Sequence, residues 1–342
     1  MPFVVRFDDY TSELRPLLGG KNAGLGELTA AGLPIPPGYA ITTEAFATLW
    51  ADVALARDVA QLLSGTDPSN PTAMELIFQA VRARIDTAAL PTGVAQAVAS
   101  AYQQLCERCG MADLPVAVRS SATGEDSANA SFAGQHDTFL WVRGADEVAR
   151  HVVRCWSSLW TARAMYYRDH MGSAPVAMSV GVQKMVRPKS AGVAFTLNPG
   201  NGDRSQVAID ASWGVGETVV AGTVTPDHFL VDKVVFEITG RWISETFPCL
   251  TDAEIKAVAR LARLVERHFG SPQDIEWAID SELEPPGNVV LLQARPETVW
   301  SHRERAPVAR ASSVLDSIVS TLCAPLSASQ YPKTTNREER DE

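Results

Sequence analysis

No run of apolar residues in the 342-residue chain approaches the roughly 18–20 that a membrane-spanning helix needs. The first residues, MPFVVRFDDYTSE, carry acids where a secretion signal carries bases, and they lack its apolar stretch. A cytoplasmic protein without membrane contact is expected. Basic residues are also in deficit. Thirty Lys and Arg against 40 Asp and Glu give a net charge of −10, which argues against a surface that coats nucleic acid. The deficit leaves a nucleotide site open, because such a site needs only a few local cations. Cysteine is scarce and odd in number, at positions 106, 109, 155, 249 and 323. That pattern fits free thiols in a reducing compartment. Cys106 and Cys109 form a single CxxC, which supplies two zinc ligands at most, and no second pair follows. It reads as structural or incidental.

The common catalytic signatures are absent too. GGKNAG is not a P-loop, since Arg15 stands where the first glycine is needed and Asn22 where Ser or Thr is needed. There is no GxSxG, HExxH or kinase HRD element. None of the six histidines sits in a Gly/Ser-rich phosphohistidine loop.

What is present divides into a helix-rich first half and a strand-rich second half. The segment Asn22–Ala31 reads as a short helix, followed by the loop LPIPPG and a strand. Residues 44–110 are Ala-rich and helical in pattern, broken at SGTDPSNP and ALPTG. LPVAVRSSA is a strand, TGEDSANASFAGQ a polar loop, and HDTFLWV a strand. Residues 145–172 read as one long helix, with Val148, Val152, Trp156, Leu159 and Trp160 near helical spacing. From 178 short strands dominate. One helix interrupts them, with Asp252 as its cap, Ile255, Val258, Leu261, Val265 and Phe269 on one face, and Gly270 as its stop. The organisation expected is a lobe over 1–189 with a helical insertion, a lobe over 190–300, and a linker or tail over 301–342 that ends as a natural terminus.

Four features invite a chemical reading, each beside a plainer one. Lys21 follows two glycines at a helix start, which suits an anion, although a surface lysine in a turn looks the same. Arg119 ends a strand beside polar residues, where a guanidinium fork suits phosphate or a structural ion pair. The small-residue loop before HDTFL has the composition of a phosphate lid or of an ordinary connection. The last strands, DIEWAID and VVLLQAR, form an antiparallel hairpin. Strict alternation puts Ile275, Trp277 and Ile279 on one face and Asp274, Glu276 and Ala278 on the other. By the same rule Gln293 and Arg295 share a face with Val289 and Leu291. Glu276, Gln293 and Arg295 then face one cleft, where a carboxylate and an amide oxygen suit Mg²⁺; polar residues on a solvent face fit as well. Gly214, Gly216 and Glu217 make a GxG plus an acid, a weak signal.

These pieces occur in one order. LGGKNAGLGEL, GLPIPPGYAIT, VAVRSSATGEDSANASFAGQHDTFLWV, SLWTARAMYYR, VGVQKMV, AGVAFTLNP, SWGVGETVVAGTVTPD and DIEWAID…LLQARPET cover roughly residues 15–300. The chain resembles the N-terminal ATP-binding region of the phosphoenolpyruvate synthase, pyruvate phosphate dikinase and rifampin phosphotransferase family. The resemblance implies an α+β, ATP-grasp-like fold of two lobes with ATP between them. It implies phosphate contacts from Lys21, Arg119 and Arg295, and a lid from Gly134, Gln135 and Thr138. It implies an adenine edge from Gln183, Lys184, Met185 and Val186, and Mg²⁺ at Glu276 and Gln293. Arg163 and Glu217 rank second. Asp210 departs from the family's usual Glu, and His136 stands where residue type varies.

The family transfers the β-phosphoryl of ATP to a catalytic histidine and then to an acceptor, releasing AMP and Pi. That histidine is not in this chain. The resemblance therefore implies a hetero-oligomer with a phosphohistidine-bearing subunit that also carries the acceptor-binding domain. Phenylphosphate synthase and 4-cresol phosphate synthase are split in this way, so a phenolic acceptor is the specific expectation. A fragment of a single-chain phosphoenolpyruvate synthase or rifampin phosphotransferase is the alternative. A non-catalytic ATP-binding regulatory module is another.

Overall fold

The computed structural model describes residues 2–64, 70–123, 137–161, 177–244 and 246–300. Two antiparallel sheets organise them, and both lie in one compact unit spanning residues 1–301. The first sheet has the order β1-β2-β5-β3-β4. Its strands are β1 (Val4–Arg6), β2 (Gly38–Ile41), β3 (Val116–Ala122), β4 (Thr138–Val142) and β5 (Met178–Lys184). The second has the order β11-β10-β6-β7-β8-β9. Its strands are β6 (Pro188–Phe195), β7 (Gln206–Trp213), β8 (Asp227–Asp232), β9 (Ile238–Trp242), β10 (Gln273–Asp280) and β11 (Val289–Pro296). Residues 185–187 join the sheets. The architecture is α+β, with the two sheets flanking a cleft in the manner of an ATP-grasp fold.

Both faces of the first sheet are covered. The helices α2 (Thr43–Leu49), α3 (Val53–Leu63), α4 (Pro71–Asp86), α5 (Thr92–Arg108) and α6 (Ala145–Ser157) build a core with Ile41, Val116, Val118, Val180 and Val182. Trp156 is wholly buried there and meets the Phe46 ring edge-on at 5.7 Å. The helix expected over 145–172 ends as α-helix at Ser157 and tightens into a 3₁₀ turn over Ser158–Trp160; residues 162–176 lie outside the described residues. On the opposite face lies α1 (Arg15–Ala30), which packs on β3 and β5 and reaches β11 of the second sheet.

The second sheet is covered on one face by α8 (Asp252–Phe269). Ile255, Val258, Leu261 and Val265 recur at helical spacing and pack with Ile275, Trp277, Ile279, Val207 and Ile209. Burying side chains of this size contributes about 1.5–3 kcal/mol each. The cap differs from the sequence expectation. Thr251, not Asp252, is the N-cap, because Glu254 completes a capping box with it and Asp252 falls inside the first turn. Gly270 stops the helix in the left-handed conformation, φ 69°. The other face of this sheet is the floor of the cleft.

Candidate functional site

The first wall of the cleft depends on one glycine. Gly19 has φ 66°, which breaks α1 into a short lead and a helix that restarts after it. A Cβ at Gly19 would collide with the Ser121 carbonyl of β3. That close approach lets the Ser121 hydroxyl donate to the Leu18 carbonyl (3.0 Å) and accept from the Asn22 N–H (3.2 Å). A strand hydroxyl thus caps the restarted helix, satisfying one of its orphan donors. Asn22 is itself buried and donates to Ser179 Oγ at 2.9 Å, which pins the first turn to β5. Lys21 is held in that turn as part of the cleft lining. The helix starts earlier than the expected Asn22, and it breaks at Gly19 against β3, two residues before Lys21.

Arg119 stands on β3 beside it. One guanidinium nitrogen donates to the Leu292 carbonyl at 3.1 Å. The other donates to Glu276 Oε2 at 2.7 Å and to Gln293 Oε1 at 3.2 Å. Arg119 therefore crosses from the first sheet to the second.

The second wall is the β10–β11 hairpin, and here strict alternation fails. Glu276 pairs with Gln293, but Trp277 pairs with Leu291, so Leu292 is an extra residue. This β-bulge reverses the alternation along β11. Val289 and Leu291 face the α8 core, whereas Leu292, Gln293 and Arg295 face the cleft. The sequence expectation that Gln293 and Arg295 share a face with Val289 and Leu291 is corrected. Only the bulge brings Gln293 opposite Glu276 on the cleft face, and it presents the Leu292 carbonyl to Arg119.

The electrostatics are close-coupled. Burial pushes Glu276 up, but the charges of Arg119, Lys21 and Arg295 and the Arg119 hydrogen bond outweigh it and hold its carboxyl below the usual glutamate value. Asp274 sits 3.4 Å from Arg295 Nε. Burial dominates there and lifts its carboxyl to about 6, against the pull of Arg295 and with Glu297 adding to the rise. Among the described residues, Asp274 Oδ1 is a buried oxygen with no hydrogen-bond partner. Asp274 was placed on the right face by alternation but not singled out; its position two residues before Glu276 was the available signal.

The remaining lining completes a cleft of about 740 Å³. At one end Lys184, the last residue of β5, and the connector residues Met185 and Val186 line the cleft beside an apolar patch of Val186, Ala191, Ala278 and Val290. Gln183 is buried and its amide nitrogen donates to the Pro36 carbonyl at 3.1 Å. Lys184 Nζ lies 4.0 Å from Glu282, which also pairs with Arg187. Thr138 begins β4 and lines the cleft next to Asp137, which Arg82 holds at 2.7 Å. Glu217 opens the short helix α7 (Glu217–Val220), where Gly216 approaches Ala191 and Gly192. Eleven sequence-selected residues thus meet in one cleft: Lys21, Arg119, Thr138, Gln183, Lys184, Met185, Val186, Glu217, Glu276, Gln293 and Arg295. Gly134, Gln135 and Arg163 lie outside the described residues.

A chemical test of the donor set favours a hard divalent cation. Two oxygens, from Glu276 and Gln293, converge on one Arg119 nitrogen, and the unpartnered Asp274 oxygen lies on the same strand face. No cluster of three or more His, Cys, Asp or Glu able to hold a metal occurs among the described residues. Few protein oxygens with phosphates completing the shell is the arrangement Mg²⁺ takes.

Residues 15–247 and 242–313 match the family described as the pyruvate phosphate dikinase AMP/ATP-binding domain. The chain belongs to this family. It is 38% identical to phosphoenolpyruvate synthase of Aeropyrum pernix, over 90% of this chain and 44% of that protein. It is 40% identical to a probable phosphoenolpyruvate synthase of Staphylothermus marinus, over 88% of this chain and 42% of that protein. The chain thus spans less than half the length of these relatives. Among solved structures, D-alanyl-alanine synthetase A of Vibrio cholerae matches 65% of this chain and 54% of its own at 10% identity. The TM-score is 0.29. The family assignment covers both walls of the cleft, so the convergence of Lys21, Arg119, Glu276, Gln293 and Arg295 belongs to an ATP-binding domain of the dikinase type. No helix of the described residues is long and apolar enough to cross a membrane.

Proposed function

We propose that this chain is the ATP-binding part of a dikinase-type phosphotransferase. The overall reaction converts ATP, water and an acceptor to AMP, Pi and the phosphorylated acceptor. The observation that carries this reading is the convergence, in one cleft of a chain that matches an AMP/ATP-binding family, of three cations with two hard oxygen donors beside an apolar patch. Adenine lies against Val186, Ala191 and Ala278, with its polar edge at Gln183 and the Lys184–Val186 backbone. The phosphates lie between Lys21, Arg119 and Arg295, with Thr138 at their rim and Glu217 on the opposite side. Glu276 and Gln293 would hold Mg²⁺, which would neutralise charge on the phosphates. Phosphoryl transfer needs positioning and charge neutralisation more than covalent chemistry from the protein, and these side chains supply both.

The β-phosphoryl group then passes to a histidine outside this chain. In the specific reading that histidine belongs to a partner subunit with its own acceptor-binding domain, and the acceptor is phenolic, of the phenol or 4-cresol type. A second reading is favoured by coverage: relatives more than twice as long are phosphoenolpyruvate synthases, and this chain would be the corresponding piece of a single-chain enzyme. ATP labelled at the β-phosphate tests the common core. With Mg²⁺ and a host extract, acid-labile label on a second polypeptide with AMP released supports the split enzyme. A reading frame continuing through a phosphohistidine loop supports the single chain. Nucleotide binding with no label transfer and no AMP under any condition sinks the split enzyme and leaves either the fragment of a single-chain enzyme, which the reading frame decides, or a regulatory ATP-binding module.

A further inference from the structure

The contacts of Arg119 carry a consequence for how the cleft fills. One terminal nitrogen donates to Glu276 Oε2 at 2.7 Å and to Gln293 Oε1 at 3.2 Å. These are the two oxygens best suited to a divalent cation, and one positive group already uses both. Mg²⁺ binds oxygen at about 2.0–2.1 Å; each of these oxygens keeps a second lone pair, so what opposes the metal is the charge of the guanidinium already seated there. Two positive groups at one pair of oxygens repel, so the guanidinium and the metal exclude each other there. The guanidinium is also anchored elsewhere, because its second nitrogen donates to the Leu292 carbonyl, which the bulge in β11 presents. The Arg119 and Glu276 side chains are only 21% and 26% exposed, so water is a poor substitute for either partner.

We propose that Arg119 is a built-in competitor of the divalent cation, and that it yields Glu276 and Gln293 only when a triphosphate takes over its guanidinium. Leaving one member of a part-buried ion pair without a partner is costly. Metal alone would strand Arg119, and nucleotide alone would strand Glu276. A metal–nucleotide complex supplies both replacements at once: phosphate oxygens for the arginine, whose fork suits them, and a cation for the glutamate. Metal and nucleotide therefore bind with positive coupling, and the coupling is reciprocal. This inference rests on the reading of Glu276 and Gln293 as metal-holding residues, so its test separates the two.

Mn²⁺ binding to the full chain without nucleotide is measured by electron paramagnetic resonance. Wild type is compared with Arg119→Met, which keeps the stem and removes the charge, and with Glu276→Gln in each background. The expected result is Mn²⁺ binding about tenfold or more tighter in Arg119→Met, since the competing state is gone, and loss of that gain when Glu276→Gln is added. Equal Mn²⁺ affinity in wild type and Arg119→Met, with Glu276→Gln weakening both, overturns the competitor role and leaves the metal site standing. Mn²⁺ binding that ignores Glu276 with and without a non-hydrolysable ATP analogue overturns the metal site, and the proposal with it. If circular dichroism shows that Arg119→Met does not fold, Arg119→Lys replaces it. Lysine cannot bridge all three acceptors, so a smaller gain is expected and no gain is again fatal.

Discussion

The two sheets meet the cleft with opposite chemistry and opposite support. The first wall contributes cations, Arg119 from the sheet and Lys21 from α1, and its sheet is packed on both faces, by α1 on one and by the α2–α6 core on the other. The second contributes mainly oxygen donors, Asp274, Glu276 and Gln293. It is packed by α8 on one face, and its other face is the cleft floor, where only the short helix α7 lies over β6 and β7 among the described helices. Neither wall has a complete set of groups for a metal-bound triphosphate. The fold solves this by spanning the gap with Arg119, which binds three groups of the second sheet. Function is a property of the pair of sheets, whereas stability is supplied to each by its own core.

The sharpest way to break that distinction is to remove charge from the open wall. Glu276→Ala is expected to lower AMP formation by about 10³-fold, in the range for losing one group that stabilises developing charge. That is about 4 kcal/mol on the barrier. The thermal midpoint should shift little, since Glu276 faces the cleft and not the α8 core. Asp210→Ala is the control. Asp210 lies in the same cross-sheet row, Gln293–Glu276–Val193–Asp210–His228, but it is two strands away and tied to His228 at 2.6 Å. It should leave most of the activity. Comparable losses in both variants would mean that the cleft floor acts as a whole rather than through the β10–β11 hairpin.

The converse change attacks the core beneath the same strand. Trp277 is wholly buried next to Glu276 but on the α8 side. Trp277→Ala is expected to cost about 3 kcal/mol of stability by chemical denaturation. Activity per folded molecule should fall less than in Glu276→Ala. If activity falls as far while stability holds, the separation of core face from cleft face is wrong.

How much of this was legible follows the same divide. The α8 stripe, the Gly270 stop and the alternation of β10 were readable, because each is set by local periodicity or a single backbone preference. The residues that meet in the cleft were selectable from motif order. Their contacts were not. The bulge at Leu292 adds one residue to a strand whose apolar run, VVLL, gives no sign of where alternation slips. The helix cap at Asn22 comes from Ser121, 99 residues away, so no local pattern marks it. Thr251 was readable as a cap from Glu254 three residues on, and Asp252 competed with it only because Asp is also a good cap. Asp274 was visible on the cleft face, but its buried unpartnered oxygen depends on tertiary packing.

The second sheet also carries a buried carboxylate outside the cleft lining. Asp227 accepts from the N–H groups of Ser244 and Cys249, each at 2.8 Å, and from the Ser244 hydroxyl at 3.0 Å. Burial pushes its carboxyl up, but these hydrogen bonds prevail and hold it below the usual aspartate value. A depressed folded-state value means stabilisation that is present above the unfolded value of about 3.9 and lost as pH falls through the folded one. At pH 7 Asp227→Asn is expected to be less stable than wild type by about 1–2 kcal/mol. The gap should narrow below about pH 4 in denaturant titrations. A gap that stays constant down to pH 3 would show that the carboxylate's charge contributes nothing.

The smallest expected effect tests whether α8 is fixed on the second sheet by its cap or by its buried stripe. Thr251 Oγ accepts from Glu254 N–H at 3.3 Å, and Glu254 returns a bond to Thr251 N–H at 2.8 Å while also binding Lys189 at 2.8 and 2.9 Å. Lys189 lies on β6, so the capping box ties the first turn of α8 to the sheet that forms the cleft floor. Thr251→Ala removes the hydroxyl but leaves the Glu254–Lys189 pair and the stripe of Ile255, Val258, Leu261 and Val265. A loss of about 1 kcal/mol is expected from denaturant midpoints, with nucleotide affinity unchanged. A loss of several kcal/mol would place the hold of α8 on the sheet in its first turn. No loss at all would assign it entirely to the apolar face, which is the face the sequence showed most plainly.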